Sequence, residues 1–452
     1  MMNYSTNTMD IGNKIIILLC NPDDASMFPF HYEEGTCMLP VGEKKLLTYW
    51  TDLVSSYPNR GIYIAAKNTP YIEHLCHEKK INYLSFNDDL YKHISEMNED
   101  VCIISVDNFM HEEDYSRLLT ENENVIICSP WINQEKSFAI GKTDNYIKEI
   151  YAHPRDHYAT DKVFEICSIN KEWVKKLCFI RKGSYTLNCG QMPDDKFHLE
   201  SIVDQLIKMG MKCKPLRAEK KIIKVKHAWD IFQANEYYCM NLHITEDEIG
   251  KNSKLNNVVR DTNSHIHVGE NCYLNNVTIE GDCWIGDNVT IENGAFIGKN
   301  CIIQNNCKIS NSCMIHANTV IGEKNKIGFG AEVCGVTMEG VAMVHTCEVF
   351  GVIGKYVDIA AGVIMAILRF DDGEVTRKVN GCHYKSPYTN AICIGNYVRT
   401  GVNNTFYPGV SVGEKSALGP GLIVDQDIPA NSLILVKQEK IVKEWGSNKY
   451  GW

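Results

Sequence analysis

Long apolar runs are missing from this chain. The longest, Ile15 to Cys20 and Ala360 to Leu368, fall well short of the roughly 20 residues a membrane helix needs, so no membrane partner is expected. Blocks of basic residues are missing too. With 46 Lys and Arg against 56 Asp and Glu the formal charge is −10, and without clustered cations to meet phosphates nucleic acid is excluded as a general partner. Met1 to Lys14 holds one basic residue and no small-residue cleavage site after its apolar patch, which speaks against a signal peptide and for a cytoplasmic location. No Cys-x-x-Cys pair occurs among the 19 cysteines, an odd number that suits reduced thiols better than a disulfide framework. The cluster His74-Leu75-Cys76-His77 offers two imidazoles three apart but no third and fourth ligand. It therefore reads as a stretch of partly exposed helix, since structural zinc wants a closed set of ligands.

What is present divides near residue 245. A chain of 452 residues with 44% hydrophobic and 23% charged residues has the balance of two or three globular domains. Residues 1–245 have the rhythm of mixed α/β. Ile15–Leu19, Gly61–Ala65 and Val101–Val106 are apolar runs of strand length, while Lys45–Leu53, His198–Met209 and Ala228–Asn241 pattern as helices. That alternation predicts a mostly parallel sheet covered by helices on both faces.

Residues 246–264 read as a linker, and from 265 to 440 another rule holds. Stepping by six from Ile279 gives Ile285, Ile291, Ile297, Ile303, Ile309, Ile315, Ile321, Ile327 and Val333, ten β-branched aliphatics in register. Four residues after each stands a mostly small one, among them Cys283, Ala295, Cys301, Cys307, Cys313 and Ala331. A period of six is the mark of a parallel β-helix built from hexapeptides, three to a triangular coil of about 18 residues. The aliphatic points inward, the small residue fits where the wall is tight, and Gly or Asn takes corners with positive φ. The cysteines of the small slot are thus core residues. The register returns at Ile353, Ile359 and Met365, and again from Ile394 to Val424. Residues 369–391 interrupt it and are expected to leave the prism as a loop, and 441–452 to form a tail.

Two segments carry a resemblance. Ala361-Gly362-Val363-Ile364-Met365-Ala366-Ile367-Leu368-Arg369-Phe370-Asp371 is similar to a Gly-Ala-Gly-Thr…Ala-Asn-Leu-Arg-x-Asp stretch. Ile394-Gly395-Asn396-Tyr397-Val398-Arg399-Thr400-Gly401-Val402-Asn403 is similar to Ile-Gly-x-x-Val-Lys-Thr-Gly-Ile-Asn, with Pro408-Gly409 following. Both belong to the left-handed β-helix of hexapeptide-repeat acyltransferases. More narrowly, this half resembles the C-terminal domain of two-domain sugar-1-phosphate nucleotidylyltransferase/acetyltransferases, of the bifunctional N-acetylglucosamine-1-phosphate uridylyltransferase/glucosamine-1-phosphate acetyltransferase type and its archaeal relatives. The resemblance implies a homotrimer, acyl-CoA (acetyl-CoA) as donor in the groove between coils, and a sugar phosphate or nucleotide sugar as the other partner. It places His345, in Met338-Glu339-Gly340-Val341-Ala342-Met343-Val344-His345, where these enzymes keep a catalytic base. An imidazole can take the proton that an amine or hydroxyl loses on attacking a thioester. Arg369, Arg399 and Asn403 are then candidates for holding acceptor or acyl-CoA. Two residues depart from the pattern: Ile367 stands for an Asn, and Arg399 for a Lys.

The first half in turn resembles a nucleotidylyltransferase domain. Met38-Leu39-Pro40-Val41 with Lys45-Leu46-Leu47, Val106-Asp107, and Ala228-Trp229-Asp230-Ile231-Phe232-Gln233-Ala234-Asn235 are similar to its motifs. Such a domain joins a sugar-1-phosphate to the α-phosphate of a nucleoside triphosphate, using a Gly-rich loop, an Arg, a Lys and two Asp on Mg²⁺. Here the loop aligns with Pro22-Asp23-Asp24-Ala25-Ser26-Met27-Phe28-Pro29, the Lys with Thr36, a sugar-site Glu-Lys-Pro with Ala152-His153-Pro154, and the second metal Asp with Lys224. Only Asp107 remains as a nucleotide, sugar or metal ligand, so Mg²⁺ is expected only if this half is active. Since one lost electrostatic donor costs roughly 10²–10³ in rate, the sum predicts a retained fold with impaired chemistry. Three functions follow: acyl transfer on the β-helix, residual sugar-1-phosphate nucleotidyl transfer, and a non-catalytic regulatory or nucleotide-sugar-binding role.

Overall fold

The computed structural model describes residues 14–21, 27–31, 35–132, 137–183, 197–379 and 381–450. The chain divides into two compact units between Tyr238 and Cys239. The aligned loop residues Pro22 to Ser26 lie outside the described residues.

The first unit is built on a nine-stranded, mostly parallel sheet. Ile15–Leu19 is an interior strand, buried on both faces, and pairs in parallel with Gly61–Ala66 on one side and Val101–Ser105 on the other. A strand apolar at every position needs cover on both faces, which explains the unbroken run. Asn82–Ser85 extends the parallel part at one edge. Beyond Val101–Ser105 the long strand Ala159–Ile169 runs antiparallel and also meets Asn124–Pro130 and Ala139–Gly141. Helices occupy Leu46–Ser55, Leu199–Lys208 and Ala228–Met240, close to the bounds expected from the sequence.

The second unit is a left-handed parallel β-helix whose short strands form one continuous 20-stranded sheet. From Cys283 to Ile315 each strand pairs with the third strand after it, one full turn of the prism, as Cys283 with Cys301 and Ile303 with Ile321. The aliphatics of the six-residue series are at most 2% exposed, and the small-slot residues are equally buried. The thiols there do more than fill space: Cys301 Sγ donates to the His316 carbonyl at 3.1 Å and Cys307 Sγ to that of Gly322 at 3.0 Å, each one coil further on. Asparagines hold the left-handed corners and stack, with Asn293 Nδ2 donating to Asn311 Oδ1 at 3.2 Å and Asn300 to Asn318 at the same distance. The glycines after the aliphatics serve a different need from the positive φ anticipated. Gly286 has no such φ, but a Cβ there would stand 2.2 Å from Asn305 Oδ1 in the next coil.

The sequence expectation of a linker over 246–264 is corrected. Glu248–Ile249 pairs in parallel with the strand Ile266–Val268, and Lys254–Arg260 with Tyr273–Ile279. These strands form the first coil. It is slightly longer than the regular turn, since Lys254 pairs with Tyr273 where further on Cys283 pairs with Cys301. It is also largely exposed, so the period of six is blurred where a terminal repeat closes the stack. A later coil is shorter than the regular turn, with Val333 pairing with Val349. One corner is tightened there until the strands Glu332–Thr337 and Glu348–Ile353 run straight through it, with Gly335 and Gly351 at the bend. The next turn is far longer. Gly351 pairs with Ile392, because the intervening segment leaves the prism and folds a hairpin from Arg377–Val379 and Cys382–Tyr384. The last strand, Leu433–Ile434, pairs with Ala417–Leu418.

Candidate functional site

In an open α/β sheet ligands bind beyond the carboxyl ends of the parallel strands. In the first unit, Asp107 follows Val101–Ser105 at that end. Its Oδ1 accepts from Ser105 Oγ at 2.7 Å and from Asn108 Nδ2 at 2.8 Å. The two-residue strand Ile223–Lys224 runs antiparallel to Asn108–Phe109, and the Val225 N–H donates to the Asp107 carbonyl at 2.8 Å, which fixes the backbone that carries Lys224. The long strand supplies Glu165. The helix Leu199–Lys208 supplies Glu200 from its first turn, with His198 just before it. Lys224 Nζ donates to Glu165 Oε2 at 2.5 Å and lies 3.7 Å from Glu200 Oε1. Glu200 is 2% exposed, and its Oε2 has no hydrogen-bond partner among the described residues.

These groups set one another's charge. Burial, with Glu165 adding to it, pushes Asp107 up to about 6 against the pull of Lys224. Burial and then Glu165 push Glu200 up to about 8. Burial also disfavours the Glu165 carboxylate, yet Lys224 outweighs it and holds this group down to about 2. Burial disfavours the Lys224 ammonium as well, but Glu165, Glu200 and Asp107 together keep it protonated above the usual lysine range. Lys226 is lowered, by Lys224 first and by burial second.

Glu165, His198 and Glu200 present ligand atoms within 4.8 Å of one another, the spacing a metal ion would use. The ammonium of Lys224 already sits against two of the three, Glu165 and Glu200. A divalent ion about 4 Å from it would be repelled by about 8 kcal/mol at an effective dielectric of 20, twice the value for two unit charges. Mg²⁺ also asks for an octahedron of oxygens and retained waters. The residues present do not fit Mg²⁺.

In the second unit, His345 stands exposed on the corner after the strand Ala342–Met343, its ring 6.2 Å from that of Phe329 one coil before. Gly362 N donates to the Thr346 carbonyl and Asn403 N to that of Ala361, so Asn403 occupies the same edge two coils on, about 10 Å along the axis at the usual strand spacing. Asn403 is left-handed, and so is Gly362, with a φ of 71° that favours glycine. Arg399 lies on the face leading to this edge, bridged to Asp358, and is exposed. Arg369 lies elsewhere. It follows the strand Ile364–Met365 at a different corner, where the excursion begins, and holds Asp371 through two 2.9 Å bonds. His345 and Asn403 thus share one edge two coils apart, Arg399 lies on the adjoining face, and Arg369 is at another corner. Ile367, at the position where the resemblance has Asn, is exposed, and its carbonyl accepts from Asn390 Nδ2 at 3.2 Å.

Sequence reasoning reached Asp107 and Lys224 but missed Glu165, His198 and Glu200. These three lie on a strand, at a helix start and in that helix's first turn, and no local spacing links them.

The description "Bacterial transferase hexapeptide (six repeats)" matches residues 265–299. Over 95% of its length the chain is 26% identical to the "Bifunctional protein GlmU" of Methanococcus vannielii, covering 99% of that protein. It is 27% identical over 88% of its length to the "Bifunctional sugar-1-phosphate nucleotidylyltransferase/acetyltransferase" of Sulfurisphaera tokodaii, covering 94% of that protein. Among solved structures, apo UDP-glucose pyrophosphorylase overlays 51% of this chain and all of its own, with a TM-score of 0.39 and 14% identity. The chain is thus similar throughout to archaeal two-domain proteins that pair a nucleotidylyltransferase with an acetyltransferase. Among the described residues no helix is long and apolar enough to cross a membrane.

Proposed function

We propose that this chain transfers an acyl group, acetyl in the first instance, from acyl-CoA to a sugar or sugar phosphate of nucleotide-sugar metabolism, on the β-helix of a homotrimer. The observation that carries the reading is an exposed imidazole, His345, on the same edge of the prism as Asn403, beside the face that presents Arg399. The acceptor amine or hydroxyl attacks the thioester carbonyl, its proton passes to the imidazole, and the C–S bond breaks to release CoA. Arg399 and Asn403 hold the acyl-CoA or the acceptor, and Arg369 is a binding candidate from its own corner. The first unit retains its fold but is catalytically impaired as a nucleotidylyltransferase, with Asp107 left as a contact for a nucleotide sugar.

The test is a melting scan with acetyl-CoA followed by an assay of CoA thiol release over amino-sugar and sugar phosphates. A ligand of the native state raises the melting temperature. Acetyl-CoA should do so, turnover should follow, and His345→Ala should lose about 10²–10⁴-fold in turnover with the shift retained. Neither shift nor turnover would end the reading. A second reading, a non-catalytic nucleotide-sugar binder, is favoured by Ile367 at the position of an expected Asn. It predicts stabilisation by a nucleotide sugar without CoA release.

A further inference from the structure

We propose that the Lys224 ammonium is the resident cation of the Asp107, Glu165 and Glu200 cluster, and that it keeps Glu165, His198 and Glu200 from acting as a divalent transition-metal site. The cluster has the donor set for such an ion, two carboxylates and an imidazole within 4.8 Å. It also has the sign of an underused site, since the buried Glu200 Oε2 has no hydrogen-bond partner among the described residues. Against both carboxylates of that set stands Lys224, 2.5 Å from Glu165 and 3.7 Å from Glu200. That lysine has little freedom to withdraw. Its backbone is paired with Asn108, and the next residue is tied to the Asp107 carbonyl.

The buried cluster of the first unit is then metal-free.

The inference deepens the reading of the first unit as impaired and rests on it. The two fail separately, because pyrophosphate release tests that reading and metal binding tests this one. The full chain is titrated with Mn²⁺ and with Co²⁺, following electron paramagnetic resonance and visible absorption. Wild type should show no site that His198→Ala or Glu200→Gln removes. Lys224→Met, which keeps the side-chain length without the charge, should gain one site, at least about tenfold tighter than any binding by wild type and lost again in Lys224→Met/His198→Ala. If Lys224→Met does not fold, judged by circular dichroism, Lys224→Gln takes its place, since its amide can still donate to Glu165. The wild-type titration stands whichever variant folds. A wild-type site that Glu200→Gln abolishes overturns the inference, and so does a folded Lys224 variant that gains none.

Discussion

Glu200 shows what one buried carboxyl does to the whole chain. Its ordinary value is 4.5 and in the fold it is pushed up to about 8, by burial first and Glu165 second. Between those values the folded chain holds a proton that the unfolded chain has released, so stability falls as pH rises from about 4.5 to about 8, by at most about 1.4 kcal/mol per unit. Glu165 acts the other way. Burial opposes its charge but Lys224 holds it down to about 2, so its contribution is present above 4.5 and lost as pH falls toward 2. Urea midpoints at pH 5, 6.5 and 8 should therefore drop in wild type and drop much less in Glu200→Gln. Equal slopes would show that Glu200 is ionised in the fold. Little of this was legible beforehand. Lys224 could be placed by its distance from Ala228-Trp229-Asp230, but its partners Glu165 and Glu200 come from far back along the chain, and a single sequence does not reveal tertiary pairing.

At the scale of the element, the coil was legible because its period equals its geometry: one inward aliphatic for each strand and turn. It became illegible wherever a coil departed from three hexapeptides. The first coil is longer and mostly exposed, and the coil from Val333 to Val349 is shorter. That tightening depends on glycine. Gly351 has a φ of 131°, and a Cβ would stand 2.0 Å from the Ile392 carbonyl oxygen across the coil. Backbone cannot move aside there without breaking the pairing of the strands Glu348–Ile353 and Ile392–Ile394. Gly351→Ala should destabilise the β-helix by about 3 kcal/mol or more, in the range of overpacked cores and strained backbone, as read from urea midpoints. Gly381→Ala is the control. It shares the positive φ but has nothing within 4 Å, and should cost about 1–2 kcal/mol. Similar losses in the two would mean that close approach does not shape this corner.

For the whole molecule, the two-domain layout was legible from the change of rhythm alone, since apolar strands alternating with helices give way to a period of six. The position of function was less so. The long similarity to archaeal relatives spans both units, yet the first unit carries Lys224 among the carboxylates of its cleft, while the second presents His345 to solvent. A prism that supports acyl transfer between subunits should sediment at three times the chain mass, and a monomer in solution would remove the grooves that the reading requires. The most direct measurement is two assays on one preparation, with acetyl-CoA, UTP or dTTP, Mg²⁺ and a panel of sugar phosphates: release of free CoA thiol and release of pyrophosphate. The account predicts thiol release that His345→Ala abolishes, with pyrophosphate at background. Pyrophosphate released at an enzyme's pace, with no thiol, would contradict it.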